Sequence, residues 1–89
     1  MIVKIVLREH IGFDNAGNPG ERVTSNLYEC DHMKTTGSSQ LRFERGHGEN
    51  VVADHYELKD ELDEADVFVM NDNGKTVDHF RLIHPIALA

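Results

Sequence analysis

The chain has 89 residues, a formal net charge of −7 and a single cysteine, Cys30. That length holds one domain, residues 1–89, and buries roughly 64 per cent of the unfolded chain's surface, enough to fold without staples. One cysteine excludes an internal disulfide and favours a reducing compartment, so a soluble intracellular protein, alone or within a larger particle, is the expectation.

Residues 2–9 open the chain as a strand. Val3, Ile5 and Leu7 line one face, while Ile2 and Val6 share the other with Lys4 and Arg8. Apolar residues on both faces predict cover on both sides. The apolar run of residues 2–7 is too short, and interrupted by Lys4, for a signal peptide or a membrane span. Gly12, Gly17, Asn18-Pro19 and Gly20 then predict a loop over residues 10–22, with Phe13 tucked back onto the core.

A second strand is expected over residues 23–34, with Val23 and Leu27 on one face and Tyr28, Cys30 and His32 on the other. The cluster Thr35-Thr36-Gly37-Ser38-Ser39 ends it. A third strand over residues 40–45 alternates Leu41 and Phe43 with Arg42 and Glu44. Gly46-His47-Gly48 turns the chain into a fourth, over residues 50–57.

At residues 58–65 the period changes. Leu58, Leu62 and Ala65 recur at i, i+4 and i+7 among good helix formers, which predicts one or two turns of acidic helix. Residues 66–83 follow as a hairpin around Asn71-Asp72-Asn73-Gly74. Two registers fit that turn. In one, Asn71 opens a type I turn and Gly74 takes the left-handed position after it. In the other, a two-residue type I′ turn sits at Asn73-Gly74. Pro85 ends the last strand, and a short apolar tail covers residues 85–89. The expected fold is thus mainly β: a small antiparallel barrel or sandwich of about six short strands, with one short acidic helix before the C-terminal hairpin.

Charge is unevenly spread. Residues 1–48 carry six acids and six bases, so the whole −7 lies in residues 49–89. Within the latter, residues 57–66 hold six acids against Lys59. That balance argues against direct nucleic-acid or anionic-membrane binding, which needs clustered Lys and Arg. It suits a protein partner with a basic or apolar surface, or self-association. Glu57, Asp60, Glu61, Asp63, Glu64 and Asp66 are the candidate charged contacts, and Ile86 and Leu88 of the tail the candidate apolar ones.

Candidate chemistry is sparse. Cys30 and His32 share a strand face as two zinc ligands could, but a site needs three or four ligands and the other histidines lack ligand spacing. Three Asp-His dipeptides (Asp31-His32, Asp54-His55, Asp78-His79) put their members on opposite strand faces, so a catalytic pair could form only between strands. Ser38-Ser39 has no nucleophile-elbow context, and no glycine-rich stretch matches a phosphate loop. The expectation is no enzyme, no metal and no cofactor. The leading function is a structural or interaction protein docked on a larger assembly, such as a viral or multi-subunit particle. An acidic charge mimic that blocks a basic nucleic-acid-binding protein is the alternative, and a small His- or metal-dependent enzyme comes third.

Overall fold

The computed structural model describes residues 1–13 and 15–84. Within them lie seven strands: β1 (Ile2–Phe13), β2 (Pro19–Glu29), β3 (His32–Gly37), β4 (Gln40–Arg45), β5 (Val52–Glu57), β6 (Glu64–Met70) and β7 (Thr76–Ile83). They form two antiparallel sheets, ordered β2-β1-β6-β7 and β3-β4-β5. The sheets share no strand among the described residues, so these form two packed antiparallel sheets and no closed barrel.

The core follows from period-two alternation on the facing strands. Val3 and Ile5 of β1 pair across with Val69 and Val67 of β6, and Leu82 of β7 stands opposite Ala65. Leu41 and Phe43 of β4 meet this face from the second sheet, and Leu58 closes one end. The Tyr28 ring crosses between the sheets to stack on Phe43, with centroids 4.8 Å apart and planes 7° from parallel.

Main-chain hydrogen bonds close both ends of the two sheets. Met1 O accepts from Cys30 N–H and Glu44 O from Asp31 N–H, where the chain crosses from the first sheet to the second. At the other end Ser38 O accepts from Ile83 N–H, which joins the two sheets directly, and Ser39 O accepts from Leu58 N–H, which extends the β4–β5 ladder.

The hairpin adopts the bulged register. Gly74 N–H donates to Asn71 O, Asn71 N–H donates to Lys75 O, and Gly74 has a φ of 79°. The Asn71 side chain accepts from both Asn73 and Lys75 N–H, which locks the turn from inside. No non-glycine residue described has positive φ, so the type I′ alternative, which needs it at Asn73, is excluded.

Four expectations need correction. Residues 58–63 form no helix: Asp63 N–H donates to Asp60 O in a turn, and β6 has begun by Glu64. Three apolar residues at helical spacing were a coincidence, since Leu58 enters the core from a loop, Ala65 enters it from a strand and Leu62 is exposed. The second strand is broken at Cys30 and Asp31, where the chain changes sheets. The glycine-rich segment after residue 9 continues β1 and begins β2, and Phe13 within it points to solvent. Ile86 and Leu88 lie outside the described residues.

Candidate functional site

β6 accompanies β1 only as far as the pair Arg8 and Glu64. Beyond that point β1 and β2 continue alone as a two-stranded arm, residues 9–13 with 19–22. Five residues of strand carry it roughly 17 Å past the sandwich. The arm accounts for the elongated outline, 54 × 28 × 19 Å.

Two features of sequence build this arm. Gly12, at φ 98°, sits in a bulge where the register slips between His10 and Phe13. The extra residue turns Phe13 to the side of His10, and the two rings meet edge to face at 5.5 Å. At the base, the guanidinium of Arg22 grips the carboxylate of Glu9 through two hydrogen bonds, Nε to Oε1 at 3.1 Å and Nη2 to Oε2 at 3.0 Å. That fork holds the Glu9 carboxyl below the usual carboxylate range. Near the tip Ile11 is 58% exposed and Phe13 71% exposed.

Asp63 supports the arm from beneath. Its carboxylate accepts the backbone N–H of His10, on the side of β1 that β6 has just vacated, and also that of Asp60. A side chain thus replaces the missing strand as hydrogen-bond partner. Burial pushes the Asp63 carboxyl above its ordinary value, and the nearby charges of Asp60 and Glu9 push it further. Beside it the sheets diverge around a cleft of about 260 Å³ lined by Leu7, Glu9, Tyr56, Leu58, Asp60 and Asp63. Burial raises the Tyr56 hydroxyl to about 12, so it stays protonated at any physiological pH.

A group whose folded pKa lies above its unfolded one removes stability as pH rises through that window. Asp63→Asn keeps an acceptor oxygen and deletes the buried charge. The variant is expected to melt at a higher temperature than the native chain at pH 7, with the gain gone by about pH 3, where both side chains are neutral. A lower melting temperature at pH 7 would mean that the two N–H bonds outweigh the burden of the charge.

The six candidate acids do not form one surface. Asp63 is buried, and Glu57, the last residue of β5, accepts a hydrogen bond from Gln40. Asp66 is nearly buried on the outer face of the first sheet, where Arg81 donates to it at 3.2 Å and His79 lies 3.5 Å away. Burial alone would raise its carboxyl, but the Arg81 hydrogen bond and charge, with His79 behind them, hold it below the ordinary range. Glu64 faces Arg81 at 3.7 Å. Asp60 and Glu61 are exposed in the loop that replaces the helix.

None of the three Asp-His dipeptides pairs internally through its side chains. His79 instead finds Asp66 across the strands and stacks on Phe68 at 4.3 Å, with Asp78 accepting the His79 backbone N–H. Asp31 accepts Gly46 N–H at 2.7 Å. Cys30 is buried and His32 exposed, so the two do not converge. Among the described residues no three His, Cys, Asp or Glu side chains gather as a metal site, and no helix is long and apolar enough to cross a membrane. The arm escaped sequence reading, although Ile11 and Phe13 inside a glycine-rich stretch were its visible sign. No family model, curated protein or solved structure matches this chain.

Proposed function

We propose that this chain is a non-enzymatic interaction protein that docks on a larger protein assembly, a viral or other multi-subunit particle being the kind in view, through the apolar end of its β1–β2 arm. The observation that carries this reading is Phe13, 71% exposed at the end of an element the core does not need. A two-stranded ribbon is marginal in water, and the large apolar side chains on its tip touch only the arm itself, through His10 and Gly20. They gain only when another surface covers them, where an aromatic anchor is the commonest hot spot. The net charge of −7 favours a partner whose contact surface is basic around an apolar pocket.

The test compares the native chain with Ile11→Ser/Phe13→Ser, both tagged and recovered from the source under native conditions. The two should unfold at similar temperatures, since both side chains are exposed and touch only the arm. Stoichiometric partner subunits should accompany the native chain and fall by about tenfold or more with the variant, as for loss of an apolar anchor. Equal recovery from both would remove the arm from the interface.

A further inference from the structure

We infer that the free edge of β2 pairs with the same edge of a second copy, making one continuous sheet across a two-fold axis through Ser25. This stands apart from docking at the arm tip, since it uses the middle of β2 and a different chemistry.

The first observation is an open edge. β2 has β1 on one side and no strand on the other among the described residues. The phase of its ladder is set by Cys30 N–H donating to Met1 O at 3.0 Å, continued by the pairs Tyr28 with Val3 and Asn26 with Ile5. In an antiparallel pair, alternate residues turn their N–H and C=O groups outwards. Those of Val23, Ser25 and Leu27 therefore face away from β1.

The second observation is that this edge lacks the usual protection. Edge strands are normally blunted by Lys, by Pro or by inward-pointing charge. Val23-Thr24-Ser25-Asn26-Leu27-Tyr28 contains none of these, and Val23 is 53% and Leu27 66% exposed.

The third is register. A two-fold axis perpendicular to the sheet keeps like faces together, so only residues of equal parity can stand opposite each other. With the axis at Ser25, Val23 meets Leu27 of the second copy, Leu27 meets its Val23, and Thr24 meets Asn26 on the inner face. Moving the axis to Thr24 sets Leu27 against Glu21, and moving it to Asn26 sets Val23 against Glu29. Only the Ser25 centre pairs both exposed apolar residues with each other. It also brings Glu21 opposite Glu29 at each end, a repulsion that salt screens. The association is therefore expected to tighten as ionic strength rises.

Sedimentation equilibrium of the full chain, from micromolar to millimolar concentration, should give a dimer. Val23→Lys/Leu27→Lys, both at exposed positions, should weaken it about tenfold or more by removing two apolar cross-strand pairs and adding like charge. Register is read by mild oxidation of Ser25→Cys, Thr24→Cys and Asn26→Cys, each in a Cys30→Ala background. A covalent dimer should form fastest with Ser25→Cys, because only there does a residue face its own copy at a Cα separation a disulfide spans. A monomer at millimolar concentration, or a dimer indifferent to the lysines, would overturn the inference. Arm-tip variants that stay dimeric would leave it standing even if docking through the tip failed.

Discussion

Phe43→Ala is expected to lower the stability of this protein by about 3–5 kcal/mol, the usual cost of emptying a phenylalanine site in a core. The whole stability of an 89-residue chain is of order 4–13 kcal/mol, so the variant should lose at least about a quarter of it. The reason is positional. Phe43 is 3% exposed, and from the second sheet it receives the ring of Tyr28 from the first. Tyr28 also meets Tyr56 edge to face, with centroids 6.3 Å apart, so removing the Phe43 ring takes away one of the two ring partners of Tyr28. Phe43→Leu refills most of the volume and should cost distinctly less. Urea unfolding followed by tyrosine fluorescence measures both variants. A loss below about 1 kcal/mol for Phe43→Ala would mean that the other core contacts and the main-chain link at Ser38, rather than this stack, hold the sheets together.

Much of that core was legible before any coordinates. Val3, Ile5 and Leu7 recur at every second position, as do Leu41 and Phe43 between Arg42 and Glu44, and a two-residue period admits few other readings. β4 has the expected bounds, and Asn71 through Gly74 marked the hairpin, while its bulged register was one of two that fitted the same residues. The sandwich itself was open to reading only as one of two options. Whether strands close into a barrel depends on pairings between distant segments, such as β1 with β6, that no local pattern encodes.

The arm and the acidic stretch were hidden for separate physical reasons. Glycine and proline are read as punctuation, yet Gly12 and Gly20 lie within strands because the arm there is only two strands wide and exposed. A bulge and a close approach are satisfied by the same residues that elsewhere mark a loop: Ile11 lies 3.0 Å from where a Cβ on Gly20 would stand. The acidic stretch was misread for a different reason. Its charge suggested one exposed face, but Asp63 completes the hydrogen bonding of β1 and Asp66 is held by Arg81. Composition counts carboxylates without revealing which are already partnered.

Gly46→Ala is the second large effect expected, about 3 kcal/mol or more, and its origin is the backbone. Gly46 has a φ of 98°, a conformation that costs any residue with a Cβ roughly 1–2 kcal/mol. A Cβ built there would also overlap the backbone carbonyl of Asn50, which is main chain and can yield only if the whole turn into β5 shifts. That turn is not isolated from the fold. Gly46 N–H donates to Asp31 at the point where the chain crosses between sheets, and this hydrogen bond is the main reason the Asp31 carboxyl sits below its ordinary value. Gly48 separates the two causes. It has a φ of 61° but nothing within 4 Å of its missing Cβ, so Gly48→Ala incurs the conformational cost alone, about 1–2 kcal/mol. The difference between the two alanine variants measures the overlap. In Gly46→Ala the Asp31 carboxyl should also titrate closer to an unperturbed aspartate by NMR, since moving the turn breaks its best hydrogen bond. Equal losses for the two variants, with Asp31 unchanged, would mean that the turn yields at no cost and that Gly46 is needed for its φ alone.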